Sequence, residues 1–78
     1  MIQAAQIQEH MEVLGSDGQH VGTVDYMEGS DKIKLTKSDP ASGGKHHLIP
    51  LSLVDHIDSH VHLNKSAKDV KAQWQAAA

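Results

Sequence analysis

Apolar and polar residues alternate along two stretches of the chain. Ile33 and Leu35 face one way while Lys32, Lys34 and Thr36 face the other, and Val61 and Leu63 oppose His60 and His62. A period of two belongs to extended backbone with one wet face. Turn-forming clusters punctuate the sequence at short intervals: Gly15-Ser16-Asp17-Gly18, Glu28-Gly29-Ser30-Asp31, Ser38-Asp39-Pro40 with Gly43-Gly44, and Asp58-Ser59. Between them lie β-type segments at Glu12 to Leu14, His20 to Met27, Lys32 to Thr36, His46 to Ile49, Val54 to Ile57 and Val61 to Leu63. This cadence predicts about six short strands.

Val21, Val24 and Met27 are three apart, so a regular strand cannot place all three on one side. A bulge near Gly22 resolves the conflict, because glycine tolerates irregular backbone angles and close approach. Val54 and Ile57 repeat the spacing after Pro50-Leu51-Ser52, which predicts a short helical turn feeding the fifth strand. Short, strongly bent strands that close on themselves hide the edges a flat sheet exposes. The expected fold is therefore mainly β, a small closed or partly open barrel over about residues 12–63. Its filling is Val21, Val24, Ile33, Leu35, Ile49, Val54, Ile57, Val61 and Leu63.

Both ends read as helix. Ile7 and Met11, four apart, pin a helical turn over about residues 3–10 onto the barrel. Ser66 with Asp69 three residues later is a capping-box variant that opens a C-terminal helix over about residues 66–75. Ala67, Val70 and Trp74 share one face of it, Trp74 anchoring the helix on the barrel or on a neighbouring subunit, and residues 76–78 form a frayed tail. The whole chain, 1–78, is one domain.

Composition makes this core scant. Valine, isoleucine and leucine are 17 of 78 residues and phenylalanine is absent, just above the roughly 20% below which a charged chain stays disordered. With no cysteine, disulfides cannot add stability, so a metal, a partner subunit or very compact local structure is expected to, and a homodimer is favoured. Seven lysines and no arginine stand against ten acids, for a net charge of -3. Nucleic-acid binding, which needs a basic footprint, is excluded on that ground. No apolar run reaches the roughly 18 residues of a membrane span, and Met1 to His10 lacks the pattern of a secretory signal. A cytoplasmic protein that does not engage membranes is expected.

The run Ile7-x-x-His10-Met11-x-Val13-x-Gly15-Ser16-Asp17-Gly18-x-x-Val21-Gly22-Thr23-Val24-Asp25 is followed by Ile33-Lys34-Leu35-Thr36-Lys37-Ser38-Asp39-Pro40 and Gly43-Gly44-Lys45-His46-His47. Ile49-Pro50-Leu51 and Val61-His62-Leu63-Asn64-Lys65 complete the pattern. From Ile7 to Trp74 the chain resembles DUF2171, a family of small bacterial proteins of unknown function. That family is similar to the PRC-barrel domains of the photosynthetic reaction-centre H subunit and of a ribosome-maturation factor. The resemblance implies a PRC-barrel-like fold and, by analogy, a docking module for other proteins rather than a chemistry.

Seven histidines are the composition's oddest feature. His60 and His62 lie two apart on one strand face, roughly 7 Å between α-carbons, and His56 precedes them across a tight turn. Together they form a candidate site for a divalent metal such as zinc, although no cysteine-based zinc spacing accompanies them. The long connection from Lys37 to Lys45 is the second candidate, since recognition concentrates on long loops held by rigid scaffolds. Lys37, Asp39, Pro40, Lys45, His46 and His47 form that rim, with Trp74 as a further protein-binding residue; adjacent on a strand, His46 and His47 point to opposite faces.

Gly44-Lys45 is not a phosphate loop, which needs glycine where Asp39 stands and serine or threonine where His46 stands. Asp55, His56 and Ser59 are too close in sequence to face one another as a triad, and no enzyme is expected. The sequence thus points to a non-enzymatic binding or adaptor module engaging another protein or itself, with a histidine-based metal-binding protein as the alternative.

Overall fold

The computed structural model describes residues 6–29 and 31–77. In chain order the elements are β1 (Glu12–Leu14), β2 (His20–Glu28), β3 (Lys32–Leu35), β4 (His46–Pro50), β5 (Val54–Ile57), β6 (Val61–Leu63), α1 (Ala67–Gln73) and β7 (Gln75–Ala77). Single 3₁₀ turns at Pro40–Ser42 and Leu51–Leu53 precede β4 and β5. The strands hydrogen-bond in the order β5-β6-β1-β2-β3-β4-β7. All pairings are antiparallel except that of β1 with β6.

β2 is the spine. Its first half pairs with β1 (Thr23 opposite Glu12, Gly22 opposite Val13, His20 opposite Leu14), and its second half pairs with β3 from Val24 onward. The register slips at Val21 and again at Asp25, so each is an extra residue facing one partner residue fewer. Two bulges in one strand reset the alternation and sharpen the twist. They allow Val21 and Val24 to be buried together while Met27 packs half-buried against the same core. Gly22 is also needed for space, since a β-carbon there would stand 3.2 Å from Cδ1 of Leu35.

Eight of the nine expected core residues are buried, and the ninth, Ile57, packs half-buried against them. Ile7, Val13, Ala67 and Val70 complete the cluster. Burial of each large aliphatic is worth ~1.5–3 kcal/mol, so α1 is held chiefly by Val70, which is fully buried. Ser66 caps that helix as expected, its Oγ accepting from the backbone N–H of Asp69 at 3.2 Å.

Four expectations need correction. The strands number seven among the described residues, not six, and their order has two ends, β5 and β7, so the sheet is not a closed barrel. The C-terminal helix stops at Gln73 rather than 75: Trp74 takes an extended conformation (φ -66°, ψ 155°) while its N–H still reaches Val70 O. Ala76 and Ala77, expected in a frayed tail, then lie with Gln75 along β4 as a paired strand; Ala78 lies outside the described residues. Of the helical turn at 3–10, residues 3–5 are outside the described residues and Gln6 is in a 3₁₀ conformation, while Ile7 and Gln8 are irregular and Glu9 and His10 form a turn, with His10 at φ 68°. Ile7 is buried and Met11 packs on the core, as the expected pinning requires. Ser30, in the second turn signal, also lies outside the described residues.

No helix among the described residues is long and apolar enough to cross a membrane.

Candidate metal centre

The β5–β6 hairpin builds the site. Asp55 is the extra residue of a bulge, since the pairing slips between Val54 opposite Leu63 and His56 opposite His62. That slip turns Val54 into the core and leaves His56 outside directly across from His62. The two imidazoles stack with centroids 4.2 Å apart and planes 7° from parallel. Asp58 closes the hairpin turn: its Oδ1 accepts from the backbone N–H of His60 at 2.8 Å and lies 2.9 Å from Nε2 of His62. Those contacts, the backbone N–H first and the His62 ring second, hold the Asp58 carboxyl below its ordinary range, so it is ionised wherever a metal would bind.

His56, Asp58 and His62 each offer one ligand atom, and the three atoms lie within 4.8 Å of one another. A tetrahedral zinc ion spaces its nitrogen and oxygen ligands by about 3.3 Å, so small rotations of these partly exposed side chains suffice. His56 also has the outer partner that ligating histidines commonly have. Its Nδ1 lies 2.8 Å from Oδ2 of Asp55, and donating there leaves the Nε2 lone pair for an ion. His56 and His62 open onto a surface cleft of about 370 Å³ that also touches Gly15, Ser16, Asp55 and Asn64.

Of the expected trio His56, His60 and His62, the first and last are brought together and His60 is directed elsewhere. Its Nε2 is 3.3 Å from Oε1 of Glu12, and its Nδ1 contacts the hydroxyl of Ser59 at 3.1 Å. Asp58 takes its place among the candidate ligands. Sequence reasoning saw Asp58 only as a turn former, and the signal that it does more is its position between two histidines, His56 and His62, that pair across a hairpin with a three-residue connection. Ser59 Oγ is engaged with the His60 ring, while the His56 ring meets Asp55.

The rim residues divide into three groups. Lys37, Pro40 and Lys45 are exposed. Asp39 is buried, its Oδ2 accepting from Thr23 Oγ1 at 2.6 Å and facing Nε2 of His20 at 2.7 Å, so it fastens the connection to β2 instead of presenting it. His46 is half-buried, its Nδ1 accepting from the Lys37 N–H at 3.2 Å. On the opposite face His47 is buried, stacked on Trp74 with centroids 3.8 Å apart. Trp74 is therefore turned toward its own chain, where it packs against the core. Glu12 and His20, neither of them singled out in the sequence, join this arrangement through an Nδ1 to Oε2 distance of 2.8 Å.

The family described as an uncharacterized protein conserved in bacteria, DUF2171, matches residues 7–71. The chain belongs to DUF2171. The match takes in the whole β5–β6 hairpin and the connection from Lys37 to Lys45, whereas Trp74 and β7 lie beyond it. No curated protein matches the chain.

Proposed function

We propose that this DUF2171 chain is a non-enzymatic metal-binding module whose ligands are His56, Asp58 and His62. The observation that carries the reading is the convergence of two imidazoles and an ionised carboxylate within 4.8 Å on one hairpin. Two nitrogens and one oxygen are borderline donors suited to zinc, nickel or copper(II), with copper bound most tightly in the usual order. The two half-sheets that share the bent β2 are compatible with the PRC-barrel-like relationship, and they supply the rigid support on which the hairpin stands.

Calorimetry of the metal-stripped full chain at pH 7.5 tests the reading. One ion should bind per chain, with affinity at least tenfold weaker in His62→Ala and in Asp58→Asn and unchanged in His10→Ala. Because imidazole must be neutral to ligate, binding should weaken toward acid pH. Absence of specific heat with all three metals, together with an unmoved melting temperature, refutes it.

A second reading, docking to another protein or to a second copy, is favoured by Lys37, Pro40 and Lys45 standing exposed on one connection and by the outer edges of β5 and β7 at the two ends of the strand order. Sedimentation over a dilution series decides the self-association version: a strict monomer at every concentration removes it.

A further inference from the structure

His20 opens β2 and stands between two carboxylates supplied by other parts of the chain. Its Nδ1 is 2.8 Å from Oε2 of Glu12 on β1, and its Nε2 is 2.7 Å from Oδ2 of Asp39 in the connection between β3 and β4. An ionised carboxylate only accepts hydrogen bonds, and a neutral imidazole has one N–H and one lone pair. Only the doubly protonated ring satisfies both contacts. A neutral ring in this place directs its lone pair at one of the two carboxylates across less than 3 Å, a repulsive arrangement that must open.

The two carboxylates differ in how easily they yield. Glu12 is partly exposed (41% of its side chain), whereas the Asp39 side chain is 4% exposed. Asp39 therefore depends on donors from the protein, and His20 and the Thr23 hydroxyl, both on β2, are among them. Two further contacts lie within the connection itself: Ser42 Oγ donates to Lys37 O at 2.8 Å, and Ser42 N–H donates to Asp39 O at 2.9 Å. They shape the loop from within. The titratable groups around the ring are Glu12 from β1, Asp39 from the connection and, beyond Glu12, His60 from the hairpin end of β6.

We propose that His20 is a protonation-operated latch: as imidazolium it holds Asp39, and with it the connection from Lys37 to Lys45, against β2, and as neutral imidazole it releases that connection. The latch uses none of the candidate metal ligands and stands whether or not a metal binds. Its charge balance agrees with the direction of the His20 equilibrium. Burial pulls the ring down, but hydrogen bonds to Glu12 and Asp39 and the charges of both outweigh it, and the net shift is upward from 6.5. The latch is thus fully closed below pH 6.5 and opens as the pH rises through the raised value in the folded chain.

Nuclear magnetic resonance on the full chain in chelator, from pH 5.5 to 8.5, tests this. The carbon-bound protons of the His20 ring should titrate above 6.5. Amide exchange across residues 37–45, corrected for its intrinsic pH dependence, should accelerate at least tenfold over the same interval, while that of β3 does not. In Glu12→Gln the His20 midpoint should fall toward 6.5, and in His20→Gln exchange of the connection should lose its pH dependence. Asp39→Asn removes the buried arm; should it fail to fold, Glu12→Gln, altered only on the exposed arm, still decides. Titration of His20 at or below 6.5 in the unaltered chain, or exchange across 37–45 that stays flat while His20 titrates, overturns the latch.

Discussion

His47 shows how a single side chain can set a limit to stability. It is buried on β4 against the Trp74 ring, and its Nδ1 is enclosed without a hydrogen-bond partner among the described residues. Burial, then the charges of Lys45 and His46, hold its pKa below the ordinary 6.5. The folded chain keeps the ring neutral where the unfolded chain takes up a proton, so this contribution is complete above pH 6.5 and is lost as the pH falls below it. His20 works in the opposite direction, since its contribution is complete below 6.5 and is lost at higher pH. Comparing urea midpoints at pH 5.5 and 7.5, His47→Phe should retain more of its stability at the acid end than the unaltered chain does. Equal pH dependence in the two proteins would falsify the assignment. Ser66→Ala removes the acceptor for the Asp69 N–H and should cost about 1 kcal/mol, with Ser66→Asp retaining most of it.

At the scale of elements, the turn after β1 and the start of α1 are fitted to each other. Ser16 N–H donates to Lys65 O at 2.8 Å and Ala67 N–H to Asp17 Oδ1 at 3.3 Å. A β-carbon on Gly15 would overlap the backbone nitrogen of Ala67, and backbone cannot rotate away as a side chain can. Gly15→Ala should therefore destabilise by about 2–3 kcal/mol or more, read as a lower urea midpoint; a loss under half a kcal/mol would show that α1 can shift freely. The same scale explains why β7 was illegible. Gln75-Ala76-Ala77 carries no β-branched or aromatic residue, and it becomes a strand only because Trp74, anchored on His47, ends the helix and lays the following backbone beside β4. The bulge beside Gly22, by contrast, was legible, because Val21, Val24 and Met27 could share a core only if β2 departed from regular alternation; the second slip, at Asp25, was not.

For the whole molecule, the uneven distribution of contacts predicts an order of opening. β2 pairs on both sides and joins the two half-sheets, while β5 and β7 each pair on one side only. Native-state hydrogen exchange should be slowest in β2 and β3 and fastest in β5 and β7; equal protection in β5 and β2 would contradict the pairing order. Metal bound only by the folded chain adds about 2.7 kcal/mol at a hundredfold excess over Kd, which for a domain this small corresponds to a rise in Tm on the order of 10–20 °C. Calorimetric melting with and without zinc reads this directly, and His62→Ala should abolish the rise.

Local patterning was sufficient for the mainly β class, the positions of six strands, the Ser66 cap and nearly all of the core, since each follows from periodicity or turn chemistry within a few residues. The same reasoning found His56 and His62 but could not tell that His60 turns to Glu12 and Asp58 turns in, because a hairpin's bulge and closing turn decide which side chains converge. The burial of Asp39 and His47, which read as rim residues, depends on His20, Thr23 and Trp74, all far away along the chain. Sequence order carries periodicity but not the distances between remote elements. Those arise only when the sheet folds, and they determine which carboxylate meets which imidazole.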